Sequence, residues 1–243
     1  MKQQIANSKS DPMGHAIYDY HTKGEAAKLR VLSSMFDEDE IPVATLFRSF
    51  EEMPKTEQRA LMEAKGMILD VGAGAGCHSL ALQSMNKDVT ALDISQLSVQ
   101  TMQERGVKKV LQQDFFDESM VGGYDTLLML MNGSGIIGSL DNMPQFFAQA
   151  SRLLAPEGVI LLDSCDLRYV FEDEDGTFDS SEFDHYYGEI DYQMRYKGIR
   201  GSKFDWLYVD FLTLAKVASE NGFSASLVEQ GENYTYLAML KRL

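Results

Sequence analysis

From Met67 onward the chain alternates between short apolar runs and stretches with helical spacing. The runs are Met67–Val71, Asp88–Leu92, Lys108–Gln112, Thr126–Met131 and Val159–Asp163. They are apolar without alternation, as strands covered on both faces are. Helices are predicted between them at about 77–85, 96–105 and 142–154. The third is the clearest, because Phe146, Phe147, Ala150, Leu153 and Leu154 fall on one apolar face. Strands buried on both faces and separated by helices predict a parallel sheet with helices on each side. Right-handed crossovers then fix most of the topology.

The two ends read differently. Glu189–Tyr196 alternates Ile190, Tyr192, Met194 and Tyr196 against Asp191, Gln193 and Arg195, which predicts a half-exposed antiparallel strand. A helix is predicted from about Asp205 to Glu220, stopped by Asn221-Gly222. Ser226–Gln230 and Thr235–Lys241 read as a closing hairpin. Residues 1–12 read as a loose polar tail. Residues 14–65 lack strand alternation and are predicted to be helices broken near Pro42 and Pro54. The acidic segment Glu172–Asp184 reads as a solvated loop.

The 243 residues suit one α/β domain with an insertion. Lys and Arg number 22 against 37 Asp and Glu, a formal net charge of −15. A surface that negative repels phosphate backbones, so neither nucleic acid nor an anionic membrane is expected as a partner. No run approaches the roughly 20 apolar residues of a membrane span. The polar start, Met1–Gly14, has no apolar leader, and the expected location is cytoplasmic. Cys77 and Cys165 form no C-x-x-C pair and read as reduced thiols. His15, His21, His78 and His185 have no zinc-ligand spacing, so no metal is expected. A monomer or homodimer is expected.

Chemistry enters at the end of the first apolar run, where Met67–Val71 leads into Gly72-Ala-Gly-Ala-Gly-Cys-His-Ser79. Strand, tight glycine turn and helix make a ligand-binding corner of an open α/β sheet. Missing Cβ atoms let backbone approach a ligand. The spacing is G-x-G-x-G rather than the dinucleotide pattern G-x-G-x-x-G, which would need a third glycine at Cys77. The next run ends in Asp93, beside the glycine loop, where a carboxylate can accept both hydroxyls of a ribose. The third run is followed by Asp114-Phe115, a carboxylate and an aromatic suited to an adenine. Together the three describe a purine nucleoside site.

The stretches LDVGAGAG (69–76), VTALDIS (89–95), QQDFF (112–116), YDTLLMLMNGSG (124–135) and LLAPEGVILLDS (153–164) resemble the class I S-adenosylmethionine-dependent methyltransferases. The resemblance covers about Met67 to Leu243. It implies a Rossmann-like, doubly wound, mostly parallel seven-stranded sheet with an antiparallel C-terminal strand. Residues 1–65 would be a tail and N-terminal helical cap. Residues 66–243 would form the domain that binds S-adenosylmethionine (SAM), with an insertion at about 168–200. Asp70, Gly72, Ala73, Gly74 and Gly76 would hold or orient the methionine moiety. Asp93 and Ile94 would take the ribose, Asp114 and Phe115 the adenine, and Asn132 and Gly133 would lie near the methyl. Gly133-Ser134-Gly135 stands where base and glutamine-amide methylases carry a Pro-Pro-Tyr type signature after Asn or Asp. With the charge, that argues against those substrates. The metal-dependent catechol-type ligand set is also absent.

Methyl transfer from a sulfonium needs alignment and a dry site more than a fixed catalytic set. Tyr18 and His21 in the cap are the candidate catalytic residues. Tyr20, Arg168, Tyr169, His185 and Tyr186, with Tyr187, are candidates for the acceptor pocket. The expected reaction is methyl transfer to a small or medium-sized non-nucleic acceptor. Three alternatives stay open: a SAM-binding protein without transfer, a basic protein as acceptor, and a nicotinamide-dependent oxidoreductase. The last lacks a Tyr-x-x-x-Lys pair.

Overall fold

The five apolar runs after Met67 become the adjacent parallel strands of one sheet in the computed structural model, which describes residues 8–173 and 175–243. In chain order the elements are α1 (Pro12–Lys23), β1 (Leu29–Leu32), β2 (Asp39–Ile41), α2 (Lys55–Glu63), β3 (Met67–Val71) and α3 (Cys77–Ser84). They continue with β4 (Asp88–Asp93), α4 (Gln96–Glu104), β5 (Val110–Gln112), β6 (Tyr124–Met129), α5 (Met143–Leu153) and β7 (Leu154–Cys165). The C-terminal third adds β8 (Glu189–Tyr196), β9 (Ile199–Leu207), α6 (Phe211–Glu220), β10 (Phe223–Gln230) and β11 (Thr235–Arg242).

The main sheet has the order β10-β11-β7-β6-β3-β4-β5. β3 to β7 are parallel, and β11 runs antiparallel to both β7 and β10. The expected seven strands and antiparallel hairpin are therefore present. One face is covered by α5 and α6, whose Phe146, Phe147 and Leu214 are fully enclosed. The other is covered by α2 and α3 through Ala60, Leu61 and Leu82. Burial of such side chains stabilises the fold by roughly 1.5–3 kcal/mol each. Because the chain order reverses between β3 and β6, a crevice opens at their carboxyl ends.

Three expectations need correction. Residues 14–65 are not all helical, because β1 and β2 form an antiparallel pair. At four and three residues they are too short to display an alternation. They are stabilised by a distant partner: Leu29 pairs with Tyr196 and Val31 with Met194 of β8. The predicted strand Glu189–Tyr196 is β8, and it belongs to a second, four-stranded sheet of order β2-β1-β8-β9. Strands β1 and β2, from before the glycine loop, thus form one layer with β8 and β9, which follow β7 in the chain. The last helix does not begin near Asp205. Residues 205–207 finish β9, and the true N-cap is Asp210, which accepts from the Thr213 amide at 3.0 Å. The part of the expected tail at residues 1–7 lies outside the described residues, while Asp11 and Pro12 are the N-cap and first residue of α1.

The second sheet is fastened over the carboxyl ends of β6 and β7. Ser134 lies 2.7 Å from the Leu207 carbonyl and 2.8 Å from Ser164 Oγ, and Ser164 accepts the Val209 amide at 2.9 Å. Gly135 lies flat against Trp206, where an added Cβ would overlap the indole. Replacing Gly135 by Ala should displace Trp206 and destabilise the protein by about 1–3 kcal/mol, the usual cost of overpacking. Thermal unfolding followed by circular dichroism checks it, and an unchanged midpoint would mean that the layers yield freely there.

Candidate active site

Glycines 72, 74 and 76 all have left-handed backbone, with φ of 72°, 56° and 81°. That conformation is strained for other residues. The Gly72 and Ala73 amides donate to the Leu92 carbonyl at 2.9 and 3.0 Å, tying the loop to β4. At Gly76 an added Cβ would press on Met102 at 2.9 Å, whereas above Gly74 the nearest atoms are 4.0 Å away. Gly76 serves close packing, and Gly74 leaves an open cradle.

Asp93 closes that cradle. One carboxylate oxygen accepts the Gly74 amide and the other the Ser95 amide, both at 2.8 Å. Each oxygen keeps further acceptor capacity, which suits a vicinal diol. Burial pushes the Asp93 carboxyl up to about 6. Ile94 follows it, half-buried. Asp70 is buried behind the loop and accepts from Ser79 Oγ at 2.7 Å, so it braces α3. Asp114, buried after β5, accepts the Phe116 amide at 3.0 Å. The Phe115 ring, expected against an adenine, is instead packed inward between Phe116 and Phe146, which leaves its backbone for the site. Cys77 at the start of α3 is not activated, because burial pushes its thiol up to about 11.

Across the crevice, Met131 and Asn132 are consecutive non-glycine residues with left-handed backbone, φ 62° and 60°. Such residues cost on the order of 1–3 kcal/mol each and persist where the surroundings impose them. Here Asp163 imposes them. Its carboxylate, at the end of β7, accepts the Met131 amide at 3.0 Å and the Gly133 amide at 2.9 Å. Burial pushes the Asp163 carboxyl up to about 7. The turn encloses the Asn132 side chain so that neither its Nδ2 nor its Oδ1 finds a hydrogen-bond partner among the described residues. Beyond it opens a cavity of about 430 Å³ lined by Asn132, Asp163, Phe36, Tyr169, Tyr192 and Tyr208, among others.

The predicted acceptor-side residues divide. Tyr169 lines the cavity and stacks on Tyr234 at 4.9 Å. Arg168 turns away, pairing with Asp166 at 3.1 Å and lying over the Phe178 ring. Tyr186 donates to Asp210 and Tyr187 to Asp166, both at 2.7 Å, so the pair braces the insertion. His185 is exposed. In α1, Tyr18 OH accepts from Gln100 at 3.4 Å and His21 meets Glu104 at 3.1 Å, so both dock the helix on α4. Tyr20 stacks on Phe47 at 4.7 Å. The side of α1 that faces the glycine loop carries Ile17 instead, which packs with Ala75 and Met131. Sequence reasoning missed Phe36, Tyr192 and Tyr208. Tyr192 was legible, because it lies on the predicted alternating strand. Phe36 and Tyr208 sit in connections whose destination is set by the second sheet.

The titration of Asp93 sets a pH dependence. An ionised carboxylate there would accept the ribose hydroxyls, and protonation below about 6 would remove that capacity. Affinity for SAM should therefore be full at pH 7.5 and fall at pH 5. In Asp93→Ala it should drop by about 1.5–3 kcal/mol at neutral pH, the range for hydrogen bonds to a charged group. Isothermal titration at the two pH values reads both, and equal affinities throughout would place the ribose elsewhere.

A family model of the methyltransferase domain matches residues 63–207. Over its whole length the chain is similar to a SAM-dependent methyltransferase from Bacteroides fragilis, solved in complex with S-adenosyl-L-homocysteine. The TM-score is 0.94 and the identity 55%, covering 100% of this chain and 99% of that one. The CcbJ methyltransferase of Streptomyces caelestis shares the fold at 13% identity, with a TM-score of 0.61 over 97% of this chain and 99% of that one. YqeM of Bacillus subtilis (strain 168) is 27% identical over 119 residues; the match spans 47% of this chain and 48% of that protein, about half its length. The glycine cradle fits this donor, with Asp93 holding spare acceptors and Asn132 an unpaired amide. The chain belongs to the methyltransferase domain family, and it is a SAM-dependent methyltransferase.

Proposed function

We propose that the chain methylates a small molecule seated in the cavity beside Asn132 and Asp163. The observation that carries this reading is the Asn132 amide, buried without a partner among the described residues, where the donor crevice meets the cavity. A buried unpaired polar group costs about 1–3 kcal/mol, so a ligand that satisfies it recovers that cost on binding.

When bound, the donor supplies a methyl carbon on a positively charged sulfur, together with its own leaving group. The chain supplies position. Asp93 accepts the ribose diol, Asp114 stands at the adenine end, and the glycine loop admits the methionine chain. Asn132 offers one donor and one acceptor at the junction, which fix both partners in line. The rings of Phe36, Tyr192 and Tyr208 keep water away from the acceptor. Orientation of this kind supplies up to roughly 7–11 kcal/mol of the barrier lowering. No helix among the described residues is long and apolar enough to cross a membrane. With two free cysteines, this fits work in the cytoplasm.

The test is transfer of labelled methyl from SAM into a metabolite extract, with wild-type protein and Asn132→Ala. Label should enter the small-molecule fraction. Asn132→Ala should lower kcat/KM by about 5- to 150-fold, the equivalent of one lost buried hydrogen-bonding group. Label found in the protein fraction alone would assign the cavity a side chain of a protein substrate.

A further inference from the structure

We propose that the methyl acceptor is a small amine, bound as its ammonium ion against the aromatic wall of the cavity and methylated on nitrogen. This rests on the reading that the cavity is the acceptor site of a SAM-dependent methyltransferase.

Two features of the lining select this chemistry. Four of its side chains are aromatic: Phe36, Tyr169, Tyr192 and Tyr208. Aromatic faces attract cations, and a desolvated cation–π contact is a recurrent way to hold an ammonium group. Among the described residues, Asp163 is the one Asp, Glu, Lys, Arg or His in the lining. The nearby cation that could have served an anionic acceptor, Arg168, is turned onto Asp166 and Phe178. A carboxylate or phosphate placed here would meet a negative group and no positive one.

The surroundings agree. Phe171, Phe178 and Phe183 pack on the same aromatic cluster as Phe36, Tyr192 and Tyr208. They anchor the acidic insertion to it, and Glu172, Asp173, Asp175, Asp179 and Asp184 are exposed there. Carboxylates carried on a segment that packs against the cavity's aromatic wall favour cations over anions nearby. The acidic run, read from sequence as a plain solvated loop, thereby acquires a role.

The chemistry balances with the groups present. The bound R–NH3⁺ gives one N–H proton to the Asp163 carboxylate, each of whose oxygens already accepts a single amide and retains a lone pair. The freed nitrogen pair attacks the methyl carbon. The new N–C bond forms as the S–C bond breaks, and that bond's electron pair stays on sulfur. The product is R–NH2CH3⁺, and Asp163 later releases its proton to solvent. Burial keeps the Asp163 carboxyl near 7, where it can accept and return a proton.

The experiment uses the full chain with labelled SAM and three isosteric acceptors: benzylamine, benzyl alcohol and benzoate. Titration with SAM comes first. Failure to bind it would overturn the methyltransferase reading itself, not this inference. With SAM bound, label should pass to benzylamine and not to the other two. Tyr208→Leu should reduce that transfer about tenfold, the scale of one cation–π contact, while Tyr208→Phe keeps most of it. Choline, a product-like cation, should inhibit competitively, and its neutral isostere 3,3-dimethylbutan-1-ol should not. Transfer to benzyl alcohol or benzoate, transfer to none of the three by a protein that binds SAM, or equal inhibition by the two isosteres would overturn the proposal.

Discussion

A single buried carboxylate, Asp163, holds the turn after β6 in shape by accepting two of its backbone amides. Without those bonds, two adjacent left-handed residues would relax toward ordinary backbone. The Asn132 amide would then swing out of the joint between crevice and cavity. Ionised and buried, Asp163 is itself unfavourable, which is why its carboxyl is pushed up. The strain in the turn and the strain in the charge offset one another, and each is stable only in the presence of the other.

The two sheets divide the work. The parallel sheet brings three candidate donor-binding groups together at its strand termini: Gly74 after β3, Asp93 ending β4, Asp114 after β5. This is the usual logic of open α/β sheets. The cavity proposed for the acceptor lies where a second sheet is laid across β6 and β7. That sheet takes two strands from before the glycine loop and two from after β7. Its contact with the main sheet rests on small groups, Ser134, Ser164 and Gly135, which let backbones approach closely. Tyr192, on β8, and Tyr208, just after its antiparallel partner β9, meet at the cavity with their hydroxyls 3.1 Å apart.

What was legible in the sequence followed from locality. The apolar runs from Met67 to Asp163 have their partners in neighbouring βαβ units, so periodicity alone placed them. The glycine loop, Asp93 and Asp114 were legible because their spacing along the chain is the spacing of strand ends. The cavity was not, because Phe36 and Tyr208 are more than 170 positions apart. The pairing of β1 with β8 joins them, and nothing in a three- or four-residue strand announces that partner. Tyr18 and His21 misled for a related reason. The helix was recognised, but the rotation that turns Ile17 to the glycine loop and those two toward α4 is set by tertiary contacts. The Met131–Asn132 conformation also escaped, since neither residue favours it without Asp163.

The N-cap of α1 carries one more consequence. Asp11 caps its own helix by accepting the Gly14 amide, and it also accepts from Ser95 Oγ at 2.5 Å. Ser95 in turn caps α4, and its amide is held by Asp93. The helix whose Ile17 packs by the glycine loop is therefore tied, through Ser95, to Asp93. Loss of the Asp11 carboxylate would thus loosen three things together: the first turn of α1, the first turn of α4 and the turn that sets Asp93.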